Sequence, residues 1–141
     1  MMMRINSAIF LMLMIRCSLL IPQDKVISVE IKYLDFTLTT DMKIECSEFE
    51  KAGDYKTILI TDTTIILTIL SMTRNLKIDI VKGYMPDTRA KIILRKEHGD
   101  KEIICLSNFS VCYNNTPMVF DYCYANYFKY LIKQNDKYFD F

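Results

Sequence analysis

The residues best suited to chemistry in this sequence are its five cysteines. Removing an N-terminal leader leaves four of them: Cys46, Cys105, Cys112 and Cys123. An even number in an exported chain permits two disulfides, in three connectivities. If 103–106 and 110–113 form a hairpin, Cys105 and Cys112 face each other at a distance that a disulfide can bridge. The alternative is that all four are small buried apolar side chains, a common environment for free cysteine.

The other reactive residue types form no recognisable catalytic pattern. His98 is the single histidine, and Glu97 and Asp100 are close enough in sequence to orient it as a general base. This segment is also a turn pattern, however, in which a polar residue needs no catalytic reason. Ser107 and Ser110 lack the glycines of a nucleophile elbow. With no CxxC, HExxH or glycine-rich phosphate loop, the sequence predicts no catalytic residue, no metal site and no cofactor.

The charge of the chain is almost balanced, with 18 basic and 17 acidic residues. A nucleic-acid-binding surface neutralises phosphates with an excess of positive charge, so we exclude nucleic acid as a partner. Arg89, Lys91 and Arg95 alternate along a predicted strand and could bind an acidic partner there. We expect the ordinary arrangement instead, in which such a row is the solvated face of the strand.

Aromatic side chains crowd the C-terminal part of the chain. The sequence has nine tyrosines and eight phenylalanines, and ten of these lie in 113–141. Four residues at helical spacing predict a buried stripe: Tyr124, Tyr127, Phe128 and Leu131. Tyr122, Tyr130 and Tyr138 are harder to bury together, and tyrosine is favoured at interfaces because its ring is apolar and its hydroxyl can stay wet. We therefore predict that these three tyrosines form an interface with a protein partner.

The N-terminal segment 1–21 has the pattern of a secretory signal. Arg4 precedes an unbroken apolar run over 8–15. That run is shorter than the roughly 20 residues that span a bilayer, so a signal peptide is favoured over a retained membrane anchor. Arg16 is unfavourable for ordinary cleavage by signal peptidase and also for lipidation of Cys17. A lipid anchor on Cys17 remains an alternative. A further alternative is a misassigned start codon, with the run buried in a cytosolic protein.

Hydropathy patterns in the rest of the chain predict a single domain over 25–133. Alternation predicts strands over 25–38, resuming around 42–44, and over 76–80, 90–95, 101–106 and 109–113, while the apolar run 57–60 is consistent with a buried strand. The runs on either side of His98 form the clearest hairpin. The segment 114–117 is typical of a closing loop.

Helical signals are fewer. Ser47 and Glu50 have capping-box spacing, which predicts a short helix over 47–51. Asp62 is the expected N-cap of a helix over 63–74, although its many β-branched residues make a strand the rival interpretation. A last helix is expected over about 121–133, followed by a loosely held tail at 134–141. These elements predict the α+β class: one largely antiparallel sheet of about five or six strands with two main helices, the second at the C-terminus.

The segments Asp87-Thr88-Arg89 and Ile104-Cys105-Leu106-Ser107-Asn108-Phe109 resemble small uncharacterised exported bacterial proteins, over roughly 25–133. The resemblance implies export and a bacterial origin, and it implies no activity. We expect a small exported, non-catalytic binding or interaction domain, with any membrane contact made only by the N-terminal segment. The alternatives are an envelope accessory protein anchored through a lipid on Cys17, and a small enzyme built around Cys105 or His98.

Overall fold

A computed structural model describes residues 24–37, 41–81 and 85–139. Within them the chain forms one antiparallel sheet in the strand order β2-β1-β3-β4-β5-β6. The strands are β1 Val26–Tyr33, β2 Lys56–Ile60, β3 Ala90–Lys96, β4 Lys101–Leu106, β5 Val111–Tyr113 and β6 Thr116–Met118. The helices are a 3₁₀ helix Cys46–Ala52, α1 Thr63–Arg74 and α2 Tyr122–Asn135. The predicted α+β class, with the last helix at the C-terminus, is confirmed. The leader 1–21, with Cys17, lies outside the described residues.

Alternate residues of the strands build the main core on one face of the sheet. Ile31, Ile92 and Ile104 lie directly opposite one another across β1, β3 and β4, and all three are fully buried. Both α-helices add buried side chains to the same cluster, including Ile69 from α1 and Phe128 from α2. The core therefore lies between this face and the two helices, as the period-two and helical patterns predicted.

Both α-helices begin at an aspartate. The carboxylate of Asp62 accepts a hydrogen bond from the Ile65 backbone N–H at 3.0 Å, and Asp121 accepts one from the Tyr124 N–H at 3.0 Å. Each bond satisfies a backbone donor that has no partner within its own helix. The Tyr124 hydroxyl also lies 2.9 Å from Thr73 Oγ1, which joins α2 to α1 inside the core. Helix α1 is confirmed over 63–74 despite its β-branched residues.

Two predicted strands are wrong, and one strand was missed. The segment 76–80 contains only the isolated bridge between Ile78 and Met118, and 41–45 contains no strand. The predicted loop at 114–117 is instead a hairpin, because Asn114 and Asn115 both adopt positive φ, at 45° and 62°. Two such residues form the turn that suits the twist of paired strands. Pro117 is the middle residue of β6, which is short and pairs with β5.

The C-terminal tail is held on the sheet through Phe139, which corrects the prediction of a loosely held segment over that part. Phe139 is buried and makes edge-to-face contacts with Tyr33 and Phe36, at ring-centroid distances of 5.4 and 5.7 Å. The Tyr33 hydroxyl donates to Asp136 at 3.1 Å. Burial, together with this carboxylate, raises the pKa of Tyr33 to about 12. The aromatic ring and the hydrogen bond thus fix the same few residues.

Replacing Phe139 with Ala is expected to lower the free energy of unfolding by about 3 kcal/mol, because it removes a buried ring and leaves a cavity. Urea titration followed by circular dichroism measures this change. Tyr138→Ala is the matched control, since Tyr138 is 95% exposed. Its effect should stay within about 0.5 kcal/mol. Equal effects of the two substitutions would show that the tail is not anchored by Phe139.

Candidate functional site

The second face of the sheet is covered by the 3₁₀ helix rather than by an α-helix. Cys46, at the start of this helix, forms a disulfide with Cys105 of β4, with the Cα atoms 5.9 Å apart. The predicted partner of Cys105 is therefore corrected from Cys112 to Cys46. Cys112 does lie directly opposite Cys105 in the β4–β5 register, as the predicted hairpin required, but its thiol is free. No local pattern could identify Cys46, because it lies 59 residues from its partner.

Two lysines on this face form ion pairs with the same glutamate of the 3₁₀ helix. Lys32 and Lys91 face each other across β1 and β3, and Glu50 accepts hydrogen bonds from both, at 3.2 and 2.9 Å. Burial acts to raise the pKa of Glu50, but the hydrogen bonds from Lys91 and Lys32 outweigh it and lower the pKa overall. The Lys32 Nζ also lies 5.5 Å from the centre of the Tyr55 ring. The helix is thus attached by charge as well as by the disulfide.

The row Arg89, Lys91 and Arg95 is not the solvated face that we expected. Arg89 and Lys91 are buried, while Arg95 is exposed and forms an ion pair with Glu30. Arg89 lies 2.7 Å from the Asp87 carboxylate. Acidic groups of the chain itself meet each member of this row: Asp87, Glu50 and Glu30.

The segment Asp87-Thr88-Arg89 holds the chain that leads into the 3₁₀ helix. Asp87 Oδ1 accepts from the Ile44 backbone N–H at 2.8 Å, and the Thr88 N–H donates to the Ile44 carbonyl at 2.8 Å. These reciprocal bonds fix the position of Ile44, two residues before Cys46. The segment's role in the described structure is therefore to present Cys46 to β4.

His98 and the two serines are not brought together. His98 lies in the turn between β3 and β4, at the opposite end of β4 from Ser107, and its Nε2 is 3.5 Å from Asp24. Its side chain is largely exposed. Ser107 and Ser110 bond each other, with their hydroxyl oxygens 2.6 Å apart. The fold thus separates the histidine from Cys105 as well as from the serines. Within the described ranges there is no cluster of three or more potential metal ligands.

A cavity of about 830 Å³ lies between α1 and the sheet, and no sequence pattern indicated it. Its walls include Ile66, Leu70 and other apolar residues of α1. Glu102 lies among the lining residues and accepts from Lys96 and from the Tyr113 hydroxyl, both at 2.7 Å. These polar groups bind one another, so the cavity combines apolar walls with an internally paired charge cluster.

Glu102, Lys96 and Tyr113 of this cluster shift one another's pKa values. Burial acts to raise the pKa of Glu102, but the hydrogen bonds from Lys96 and Tyr113 outweigh it and lower the pKa below the ordinary 4.5. Burial first, and the Glu102 carboxylate second, raise the pKa of Tyr113 to about 12. The hydrogen bond to Glu102 raises the pKa of Lys96. The cluster therefore keeps its charges across the neutral range.

The α2 groove, a depression of about 620 Å³ beside helix α2, collects the exposed aromatic residues. It is lined by ten residues: Asn108, Phe109, Phe120, Tyr122, Ala125, Asn126, Lys129, Tyr130, Lys133 and Gln134. The structure thus brings together Tyr122 and Tyr130 of the predicted interface. Tyr138 lies after the end of α2 and does not line the groove. Phe109, which the sequence patterns did not single out, is 82% exposed at its edge.

The charged residue types among the described lining of the α2 groove are basic. Lys129 and Lys133 line it, and no aspartate or glutamate of the described residues does. Lys129 Nζ donates to Asn108 Oδ1 at 2.8 Å and lies 5.0 Å from the centre of the Phe36 ring. Burial lowers the pKa of Lys129. A cation fixed in this way presents its charge at the base of an aromatic surface.

No protein-family model, curated protein or solved structure matches the chain. Within 24–37, 41–81 and 85–139, the helices are all too short or too polar to cross a membrane. Any functional inference therefore rests on the geometry of the described surfaces. The Cys46–Cys105 disulfide is consistent with an oxidising environment.

Replacing Glu102 with Gln is expected to remove part of the acid dependence of stability. A carboxyl group whose pKa is lowered by folding stabilises the native state above its unfolded pKa, and this contribution disappears as pH falls through the folded pKa. The wild-type protein should therefore lose stability below about pH 4.5, and the variant should lose less over the same range. At pH 7 the free energy of unfolding of the variant should be about 1 kcal/mol lower than that of the wild-type protein. Urea unfolding at a series of pH values measures both effects.

Glu97→Gln is the control for this experiment, because Glu97 is exposed in the turn after β3. It should reproduce the wild-type pH profile. An identical acid dependence in the Glu102→Gln and wild-type proteins would show that the cluster does not contribute as described.

Proposed function

We propose that this protein is a small exported, non-catalytic domain that binds a protein partner through the α2 groove. The observation that carries the proposal is the groove itself, which is lined by exposed Phe109, Tyr122 and Tyr130 and by two lysines. Monomeric proteins seldom expose several neighbouring aromatic rings without a binding role. Aromatic residues concentrate in the centres of protein interfaces, where they supply large contact areas.

The chemistry of the groove favours an acidic, partly apolar peptide segment as its partner. Lys129 and Lys133 line the groove, and no described aspartate or glutamate is among the lining residues. Complementary charge speeds association and selects among partners, while the aromatic rings take up apolar side chains.

Export is supported by two independent features. The sequence of 1–21 has the order of a signal peptide, with a basic residue followed by a short apolar run. The disulfide between Cys46 and Cys105 suits a compartment in which thiols are oxidised. Attachment through a lipid on Cys17 is the membrane-bound form of the same proposal.

Selection of a phage-displayed library of random linear peptides on the folded protein tests the groove. We expect enriched peptides to contain Asp or Glu next to apolar residues. Binding of an enriched peptide should weaken at least tenfold in Tyr130→Ala and in Lys133→Glu, because truncating a central aromatic residue or reversing a complementary charge commonly costs more than about 1.4 kcal/mol. Fluorescence anisotropy of the labelled peptide measures these affinities.

Tyr138→Ala is the matched control, because it removes the same side chain from an exposed position outside the groove. It should leave the affinity unchanged. An absence of enriched peptides, enrichment without acidic residues, or equal losses in Tyr130→Ala and Tyr138→Ala would each contradict the proposal.

Mass spectrometry of the protein purified from a bacterial host that secretes it tests export. The mature chain should lack a leader of about twenty residues. Addition of a fatty acid that is lost in Cys17→Ala would indicate the lipid-anchored form. An intact, unmodified Met1 in the cytosolic fraction would overturn the export proposal.

A further inference from the structure

Three cysteines form a small cluster of their own on the second face of the sheet. Cys46, Cys105 and Cys112 are all buried and pack together with Ile103, apart from the main core. Cys46 and Cys105 share a disulfide, while Cys112 is a free thiol directly opposite Cys105. A buried thiol next to a disulfide is the arrangement needed for internal thiol–disulfide exchange.

We propose that the protein has a second disulfide state, Cys105–Cys112, which forms by exchange within the chain and releases the 3₁₀ helix from the sheet. In this reaction the Cys112 thiol gives its proton to solvent, and the thiolate attacks Sγ of Cys105. A new bond joins Cys112 to Cys105, and the bond from Cys105 to Cys46 breaks. Its electron pair leaves with the Cys46 sulfur, which takes a proton from solvent. One disulfide and one thiol are present before and after, so the step needs no oxidant or reductant.

The register of β4 and β5 makes the second state reachable without breaking the sheet. The Ser107 N–H donates to the Ser110 carbonyl at 3.0 Å, so these two residues form a hydrogen-bonded pair. Along an antiparallel ladder, hydrogen-bonded pairs alternate with pairs that are not hydrogen-bonded. Two pairs further along, Cys105 and Cys112 again form a hydrogen-bonded pair, with Cα atoms about 5.5 Å apart. This distance lies within the range that a disulfide spans.

The same geometry explains why Cys46 holds the bond in the resting structure. Side chains of a hydrogen-bonded pair lie farther apart than those of the alternate pairs, so Cys105 and Cys112 are not in the favoured position for a cross-strand bridge. Burial also raises the pKa of the Cys112 thiol, which keeps the attacking thiolate scarce near neutral pH. Exchange is therefore slow at rest and accelerates as pH rises.

Release of Cys46 changes what holds the 3₁₀ helix. After exchange the fully buried Phe49 ring, the hydrogen bonds that Glu50 accepts from Lys32 and Lys91, and those around Ile44 remain to hold this segment on the sheet. These noncovalent contacts can open in local fluctuations that a covalent link to the sheet prevents. The exchanged state should therefore open the segment before β2 to solvent while the main core stays intact.

A tryptic map of the acid-quenched, alkylated full chain reads out the two states directly. Cleavage after Lys43 and Lys51 isolates Cys46 in peptide 44–51, and cleavage after Lys101 and Lys129 places Cys105 and Cys112 together in peptide 102–129. In the resting state the two peptides are linked. In the exchanged state 44–51 carries an alkylated thiol, and 102–129 contains an internal disulfide. Cys17 and Cys123 are replaced with Ser in every sample, so that they take no part.

We expect the linked pair to decrease with time at alkaline pH, and the rate to rise about tenfold per pH unit while the pH stays below the pKa of the Cys112 thiol. The Cys112→Ser variant should keep the linked pair. Trypsin should cut the native exchanged protein after Lys51 several times faster than the resting protein. A linked pair that persists at every pH, an equal rate in Cys112→Ser, or unchanged cleavage after Lys51 would overturn the proposal.

A second variant guards against an effect of misfolding. Cys46→Ser, incubated with glutathione disulfide as the oxidant, should form the internal disulfide of 102–129 while its circular dichroism spectrum stays that of the wild-type protein. Free, alkylatable thiols at both Cys105 and Cys112 in a folded Cys46→Ser protein would show that β4 and β5 cannot hold the second disulfide, and the proposal would fail.

Discussion

The antiparallel pairing of β1, β3 and β4 is the constraint on which the rest of the structure depends. Because side chains alternate between the two faces of a strand, one register places the row Ile31, Ile92 and Ile104 on one face. The same register places Lys32, Lys91 and Cys105 in a row on the other. A shift by a single residue would exchange the two rows and bury lysines in the main core, so the hydrophobic pattern fixes this register strongly.

The two faces are covered by different kinds of interaction. On the first face, two amphipathic helices bury apolar side chains, and the hydrogen bond between Tyr124 and Thr73 joins them. On the second face, a short 3₁₀ helix is held by one disulfide and by Glu50 between two lysines. This short helix buries the Phe49 ring fully, and the covalent link and the ion pairs add to that apolar contact.

Local patterns were sufficient for the helices and the central hairpin, because Asp62 and Asp121 are recognisable caps and β3 and β4 alternate clearly around their turn. They were insufficient for β6. Asn114 and Asn115, which precede this strand, resemble a loop unless both are known to adopt positive φ. The burial of Lys91, the partner of Cys105 and the anchoring of Phe139 each depend on residues far away in sequence. The α2 groove and the cavity beside α1 also depend on residues far apart in sequence. Surplus tyrosine predicted an interface, but the edge of the α2 groove comes from a different loop, and the cavity beside α1 is lined by residues from several distant parts of the chain.

The Cys46–Cys105 disulfide closes a covalent ring that contains β2, α1 and β3. Strand β1 precedes this ring in sequence, but in the sheet it lies between β2 and β3. A chain stretched from its ends therefore cannot extend through the ring as long as the bond is intact. With the two cysteines 59 residues apart in sequence, the ring withholds roughly 200 Å of contour length. The oxidised protein is consequently a shorter tether than its sequence length implies, and reduction of one bond would lengthen it.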